Sequence, residues 1–347
     1  MINDASPPAL AADAGFDLAG IAPAGPSPRA ASFRSWLAEG FHADMAWMAR
    51  DPATRCDVSR FDPAARCVLV VGLSYFVERP DPAYWDDPLR GQVARYAWGA
   101  DYHGVMRERL DALRRAIDGR FGPGTAGRPF VDTRPVLERA AAESAGLGFV
   151  GRHAQLIHPD WGSCIVLGGI PLMRAWAPTP PMPSDARHGC GRCRRCLDAC
   201  PGGALARPHV LDSRRCVSYL TVECRGAIPP ELRPALGRRI FGCDACQEAC
   251  PWMRRRARPS ARPFLRFEPD LAAPRLTELL EMDEAVFSRR FGATPLARAG
   301  RRGLRRNAAV ALGNGGSPAA RPALERAAAD ADELVAEHAR WALARLG

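Results

Sequence analysis

The chain has 347 residues, 47% of them apolar and 25% charged, proportions that fit two or three water-soluble globular domains and exclude a disordered or fibrous chain. No stretch approaches the roughly 20 apolar residues that span a bilayer, and the opening segment carries Asp4, Asp13 and Asp17 with no basic residue before Arg29, unlike a secretory leader; a cytoplasmic protein with no membrane partner is expected. The formal net charge is +10 and all 48 basic residues are arginine, a genome-like bias that makes the placement of arginine informative and its identity not.

From Arg29 to about Leu172 the pattern alternates strands and helices. Arg66-Cys67-Val68-Leu69-Val70-Val71-Gly72 reads as a short buried strand, and Met106 to Ile117 has helical spacing. Arg128 to Asp132 reads as a strand, and Pro135 to Ala145 as a helix entered at proline and stopped near Gly146. Residues Ala154 to His158 and Ser163 to Gly169, joined through Pro159-Asp160-Trp161-Gly162, read as a hairpin. This predicts a mixed α+β domain over residues 1–178. The proline-rich run from Ala177 to Pro183 is a connector.

Residues 179–260 hold seven of the twelve cysteines in two bursts, Cys190-x2-Cys193-x2-Cys196-x3-Cys200-Pro201 and Cys243-x2-Cys246-x3-Cys250-Pro251, with Cys216 standing alone between them as an eighth. That is the grammar of a bacterial ferredoxin-like domain with two [4Fe–4S] clusters, in which the cysteine before the proline ligates the other cluster. Cys190, Cys193, Cys196 and Cys250 are then expected to hold one cluster, and Cys200, Cys216, Cys243 and Cys246 the second. A zinc site fits poorly, because a third cysteine two residues on crowds a tetrahedral ion. Disulfides suit neither the spacing nor the compartment. Clusters serving structure alone are the harder alternative; two side by side favour electron transfer. Cys56, Cys67, Cys164 and Cys224 lack such spacing.

Residues 251–310 hold fourteen arginines against six acids, in runs such as Arg254-Arg255-Arg256, Arg289-Arg290, Arg301-Arg302 and Arg305-Arg306. A basic flank of this kind is the footprint of a polyanion or, in the plainer reading, a solvated surface. The last region, 261–347, is helical: Asn307 to Leu312 and His338 to Leu343 share Ala, Ala and Leu at an offset of 31 residues, with a helix entered at Pro318 between them. This fits two HEAT-like repeats or an ordinary helical bundle.

Several stretches resemble the epoxyqueuosine reductase family: Val131-Asp132-Thr133 with Pro135 to Arg139, Ala145 to Gly151, Gly162-Ser163, Cys216 to Glu223, Gly242 to Gln247 with Cys250-Pro251-Trp252, and Thr294-Pro295-Leu296 with Arg306 to Ala309. The resemblance runs in order from about residue 30 to the C-terminus. It implies a cobalamin, cob(II)alamin at rest, in the N-terminal domain beside the two clusters, and reduction of epoxyqueuosine to queuosine at the wobble position of tRNA. Making an alkene from an epoxide takes two electrons and two protons and releases water, whereas clusters deliver electrons singly; a corrinoid can pair them. The implied partners are the tRNA anticodon stem-loop and an external low-potential electron donor, and the implied state is a monomer.

Carried over by position, the resemblance makes Asp132 the proton donor, on the expectation that a poorly solvated carboxyl keeps its proton; the plainer role is capping the helix that follows. Arg55, Arg95, Leu156, Leu167, Ser218 and Asp244 match cobalamin contacts, and Arg225 matches a position facing tRNA. His103 lacks the surroundings of a known cobalt-ligating motif. The chain departs from the family at Arg152-His153, where Lys-Asn is usual, and at Arg134, Trp98 and Cys224. A reductive dehalogenase-like corrinoid enzyme and a non-catalytic electron-transfer or tRNA-binding iron–sulfur protein are the rival functions; the former lacks the arginine-rich helical tail.

Overall fold

The computed structural model describes residues 6–182, 189–260 and 268–347. Pro183 of the connector, the start of the chain through Ala5, and Arg262 and Arg266 of the basic tract lie outside them. Four strands, β1 (Leu18–Pro23), β2 (Cys67–Ser74), β3 (Phe130–Val131) and β4 (Ile165–Leu172), form a sheet of order β1-β2-β4-β3 in which every neighbouring pair is antiparallel. β2 is buried along its whole length, which is why its sequence is a continuous apolar run rather than an alternation. Leu69, Val71 and Leu73 pack on Met106, Leu110, Leu113 and Ile117, and Val68 and Val70 on the other face pack with Phe130, Val136, Ala142 and Leu147.

Helix α1 (Pro7–Asp13) precedes β1, and α2 (Tyr102–Phe121) supplies the first of those faces. The Asp101 carboxylate accepts from the His103 backbone N–H at 2.9 Å and so opens α2 ahead of its apolar stripe. Helix α3 (Glu138–Ser144) begins three residues later than its proline suggests, because residues 132–137 form an irregular loop. Its N-cap is Leu137, with no side-chain cap, so Asp132 does not cap it.

The expected hairpin is corrected. Its turn exists, with His158 and Gly162 exchanging backbone hydrogen bonds of 2.9 Å, but the arms part. Leu156–Ile157 pairs backwards with Phe149–Val150, while β4 enters the main sheet between β2 and β3. An eight-residue apolar arm buries more surface between two strands than against one short partner. The reversed pairing requires Gly148, whose φ is +142° and where a Cβ would lie 2.3 Å from the Ile157 carbonyl oxygen.

The cysteine-rich region is built of short helical turns, among them Arg195–Asp198 and Ala245–Glu248, with α4 (Val217–Val222) between. It is joined to the first region by a parallel pair, Gln92–Val93 with Arg239–Phe241. C-terminal helices α5 (Gly300–Gly315), α6 (Arg321–Ala328) and α7 (Glu333–Leu346) complete the chain. The two similar segments seen in the sequence lie on α5 and α7, which pack closely enough that a Cβ at Gly313 would stand 2.7 Å from the Ala342 Cα. One core draws on Val93, Ala97 and Trp98, on Ile240 and Phe241, and on Leu304, Ala308, Leu312, Leu324 and Val335. Among the described residues no helix is long and apolar enough to cross a membrane.

Candidate redox and catalytic site

The eight thiols sort into two sets. Cys190, Cys193, Cys196 and Cys250 line one cavity of about 350 Å³ with His153, Pro251 and Trp252. Cys246 is surrounded instead by Cys243, Cys216 and Cys200. Each burst thus places its last cysteine, Cys200 or Cys250, among the thiols of the other. Burial, followed by the neighbouring thiols, pushes Cys196 up to about 11; burial does the same for Cys243, against the pull of Arg239. The protein alone therefore disfavours thiolates here, and bound iron would have to supply the compensating charge. Four sulfur donors around an apolar cavity fit a cluster. Among the described residues no group of three or more His, Cys, Asp or Glu is arranged for a single metal ion.

The sheet abuts this region directly. At its edge, Tyr75 Oη and Cys164 Sγ both reach Gln247 Oε1, at 3.3 and 3.5 Å, on the turn carrying Cys246. The Ser163 backbone N–H donates to Met253 Sδ at 2.9 Å, just beyond Cys250. Cys56, Cys67, Cys164 and Cys224 are all buried, Cys224 in the apolar cluster against which Cys216 and Cys243 pack. Burial pushes Cys164 up to about 12, marking an inert thiol.

Asp132 stands in the left-handed region at φ +37°, a conformation that asparagine and aspartate tolerate but that still marks a constrained site. Its carboxylate accepts from Tyr102 Oη at 2.6 Å and faces His103 Nε2 at 3.3 Å, while His103 Nδ1 lies 2.7 Å from Asp101. Both ring nitrogens of His103 are thus engaged, which removes it as a free metal ligand. The Asp132 side chain is 61% exposed, yet desolvation by surrounding protein is the largest influence on it. It lies on the wall of a recess rather than on an outer surface. The same holds for Arg139, exposed but desolvated.

Within this recess the expectation for Asp132 is reversed. Desolvation pulls its proton affinity up, but hydrogen bonds from His103 and Tyr102 and the charges of His103 and Arg139 outweigh it and hold the carboxyl below the usual carboxylate range. Two neighbours keep protons instead. For His103, burial opposes charging, but Asp101 and Asp132 overcome it and lift the imidazole to about 9. Glu138 is pushed up to about 8 by burial and by the charge of Asp132, and its Oε1 is buried without a partner. Tyr102, His103 and Glu138 carried no role in the sequence reading; Tyr102 and His103 lie about thirty positions from Asp132, and only the fold brings α2 to the 132–137 loop.

Of the predicted cofactor contacts, Arg55 has a buried Nε with no partner and a terminal nitrogen 3.5 Å from the Arg134 carbonyl. Arg95 and Asp244 meet each other: the Asp244 carboxylate accepts from the Arg95 backbone N–H at 2.7 Å, and the Arg95 guanidinium donates to the Val77 carbonyl and stacks near Trp98. Leu156 is buried beside Phe130 and Leu147, with Leu167 packed at the edge of that group. Ser218 lies two residues after Cys216 at the start of α4, half-buried. Arg225 is exposed, but its guanidinium donates to the carbonyls of Ala299 and Arg298, at 2.9 and 2.7 Å. Arg298 in turn pairs with Glu223 at 2.8 Å and lies over Trp47, which is 37% exposed.

The basic tract is not the continuous cationic face its sequence suggests. Arg306 is 1% exposed and donates to the carbonyls of Leu220, Cys224 and Gly226. Arg305 pairs with Asp330, Arg301 with Glu284 and Arg302 with Asp332. These four therefore hold the helical region together. Among the described residues, the exposed arginines of the tract outside these ion pairs and that of Arg298 are Arg254, Arg255 and Arg256 beside Cys250, together with Arg258, Arg275 and Arg289.

Residues 189–253 match the family described as a 4Fe-4S double cluster binding domain, and residues 55–133 match that described as Epoxyqueuosine reductase QueG, DUF1730. The fold and the site define an iron–sulfur oxidoreductase. The epoxyqueuosine reductase of Xanthomonas campestris is 44% identical over 97% of this chain and 94% of that protein, and the Escherichia coli one 37% identical over 95% and 86%. Among solved structures, an epoxyqueuosine reductase bound to an epoxyqueuosine-modified tRNA-Tyr stem loop superposes with a TM-score of 0.86 at 29% identity, over 97% of this chain and 88% of that one. One from Bacillus subtilis, with its catalytic aspartate loop swung out of the active site, gives 0.87 at the same identity and coverage. The chain belongs to the epoxyqueuosine reductase family.

Proposed function

We propose that this protein reduces epoxyqueuosine in the anticodon loop of tRNA to queuosine, with cobalamin bound in the Asp132 recess and electrons entering through two [4Fe–4S] clusters. The observation that carries the reading is that two four-thiol sets pack against the sheet whose strand β3 runs into the Asp132 loop and its proton-holding neighbours. Cys190, Cys193, Cys196 and Cys250 hold one cluster, and Cys200, Cys216, Cys243 and Cys246 the other. The relative solved with a modified stem loop supports the tRNA substrate.

The recess suits a corrinoid: it is open yet desolvated, and the unpartnered Arg55 Nε and Glu138 Oε1 can meet peripheral amides, which donate and accept. Arg55 and Ser218 contact the cofactor by side chain, Leu156 and Leu167 form apolar floor, and Arg95 with Asp244 fix the second thiol set against it. Bound cobalamin supplies a cobalt centre that gathers single electrons and delivers them as a pair.

Asp132 aims at the leaving oxygen. His103 and Glu138, both protonated near neutrality, furnish the two protons the reaction consumes, with Asp132 relaying the first. Asp132 has a left-handed backbone on an irregular loop, and the Bacillus relative has its catalytic aspartate loop swung out of the active site. The C-terminal helices form two HEAT-like units that face the stem loop, with Arg225 at the contact. The chain acts as a three-domain monomer, 1–178, 179–260 and 261–347, and takes electrons from an external low-potential donor.

Incubating the anaerobic, cobalamin-loaded protein with epoxyqueuosine-containing tRNA under a low-potential reductant should convert the epoxide, read by nucleoside mass analysis. Asp132→Asn should lose at least about a hundredfold in rate, in the range for general acids, while still binding cobalamin. Conversion by Asp132→Asn at the wild-type rate removes Asp132 from the chemistry.

A further inference from the structure

His153 lies on the turn between Phe149–Val150 and Leu156–Ile157, 2% exposed. Its Nδ1 accepts the Gln155 backbone N–H at 3.2 Å, which assigns the ring hydrogen to Nε2 in the neutral imidazole. That Nε2 is buried and has no protein partner, and the ring lines the same cavity as Cys190, Cys193, Cys196 and Cys250. The adjoining residue already serves that set, since the Arg152 backbone N–H points at Cys190 Sγ from 3.4 Å. A buried donor left bare is costly, and the cavity offers sulfur as its acceptor.

We propose that His153 donates an Nε2–H···S hydrogen bond to the cluster held by Cys190, Cys193, Cys196 and Cys250 and thereby raises that cluster's reduction potential. This rests on the reading that those thiols hold a cluster. Reduction adds negative charge to the sulfurs, and a donor aimed at them stabilises the reduced form more than the oxidised one. The residue then sets the step in potential between the two clusters, and with it the direction of electron flow. It tunes the relay without touching the substrate.

The test is a dye-mediated redox titration of the anaerobic full-length protein, followed by electron paramagnetic resonance. His153→Leu should lower one of the two midpoints by a shift equivalent to a tenfold change in the reduction equilibrium, about 59 mV for one electron. The other midpoint should stay, and His153→Asn, which keeps an N–H donor, should retain most of the wild-type value. In unmutated protein labelled with 15N-histidine, pulsed resonance should detect a nitrogen coupled to the reduced cluster. A His153→Leu protein with full iron and sulfide and an unchanged midpoint overturns the proposal, and so does an absent nitrogen coupling in wild-type protein if His153→Leu fails to load. Wild-type protein lacking stoichiometric iron and sulfide would instead defeat the cluster reading itself.

Discussion

Arg306→Met removes a guanidinium that the structure spends wholly inside the protein. Its three nitrogens serve the carbonyls of Leu220, Cys224 and Gly226 at 2.6–2.9 Å and the Asn307 side chain at 2.9 and 3.1 Å. Methionine fills much of the volume but leaves three carbonyls without donors in a water-poor setting. At about 1–3 kcal/mol for each orphaned group, with partial relaxation, the cost is roughly 3–5 kcal/mol, against a total stability of about 5–15 kcal/mol. For a chain of this size that corresponds to a fall in Tm of roughly 4–7 °C. Arg306→Lys restores the charge but not the planar fork, and should recover only part of the loss. Anaerobic thermal unfolding followed by circular dichroism, alongside iron content, reads both. Because the anchored segment follows Cys216, iron retention should fall with stability. Arg302→Ala, which breaks only the exposed pair with Asp332, should cost about 0–1 kcal/mol. An Arg306→Met protein that melts within about 1 °C of wild type would refute the view that this residue is structural.

Replacing Gly313 by valine should destabilise the α5–α7 contact by about 2–4 kcal/mol through overpacking and backbone shift, measured by the same melt. Charge reversal at Arg254, Arg255 and Arg256 should weaken binding of an anticodon stem-loop and flatten its salt dependence in a titration across ionic strengths, with the fold intact; an unchanged slope excludes them from the contact. His103, raised to about 9 against an ordinary 6.5, contributes stability that is complete below about pH 6.5 and lost as pH rises through about 9; turnover should fall over the same upper limb of a pH–rate profile. His338 runs the other way. It is fully buried, with Nδ1 on the Leu334 carbonyl and Nε2 accepting the Ile228 N–H, and burial pushes it down to about 4. Between pH 6.5 and 4 the unfolded chain takes the proton first, so stability should drop by up to roughly 3 kcal/mol, and His338→Gln should flatten that limb of the melting curve.

The cysteine grammar was fully legible, because ligand spacing is local and the proline after each burst dictates where the last thiol cannot go. Strand β2 and helix α2 were legible for a similar reason: each buries a face set by its own sequence. The 154–169 hairpin was not, since the choice between pairing with a neighbour and entering a distant sheet is made by tertiary burial. The arginine runs misled in the same way. Arginines 301, 302, 305 and 306 look alike in sequence, and only the fold pairs them with Glu284, Asp332, Asp330 and the 220–226 carbonyls, burying Arg305 and Arg306 while Arg302 stays exposed. For Asp132 the sequence marked the residue but not its ionisation, which depends on Tyr102 and His103 arriving from α2.

The exchange of thiols between the two bursts has a temporal side. As the chain leaves the ribosome, Cys190, Cys193 and Cys196 emerge early, and the fourth member of their set, Cys250, appears only after Cys200, Cys216, Cys243 and Cys246 have all been made. The first set is therefore completed only after the second has all its members. On the proposed cluster assignment the first set closes last, and its closure clasps the two bursts together.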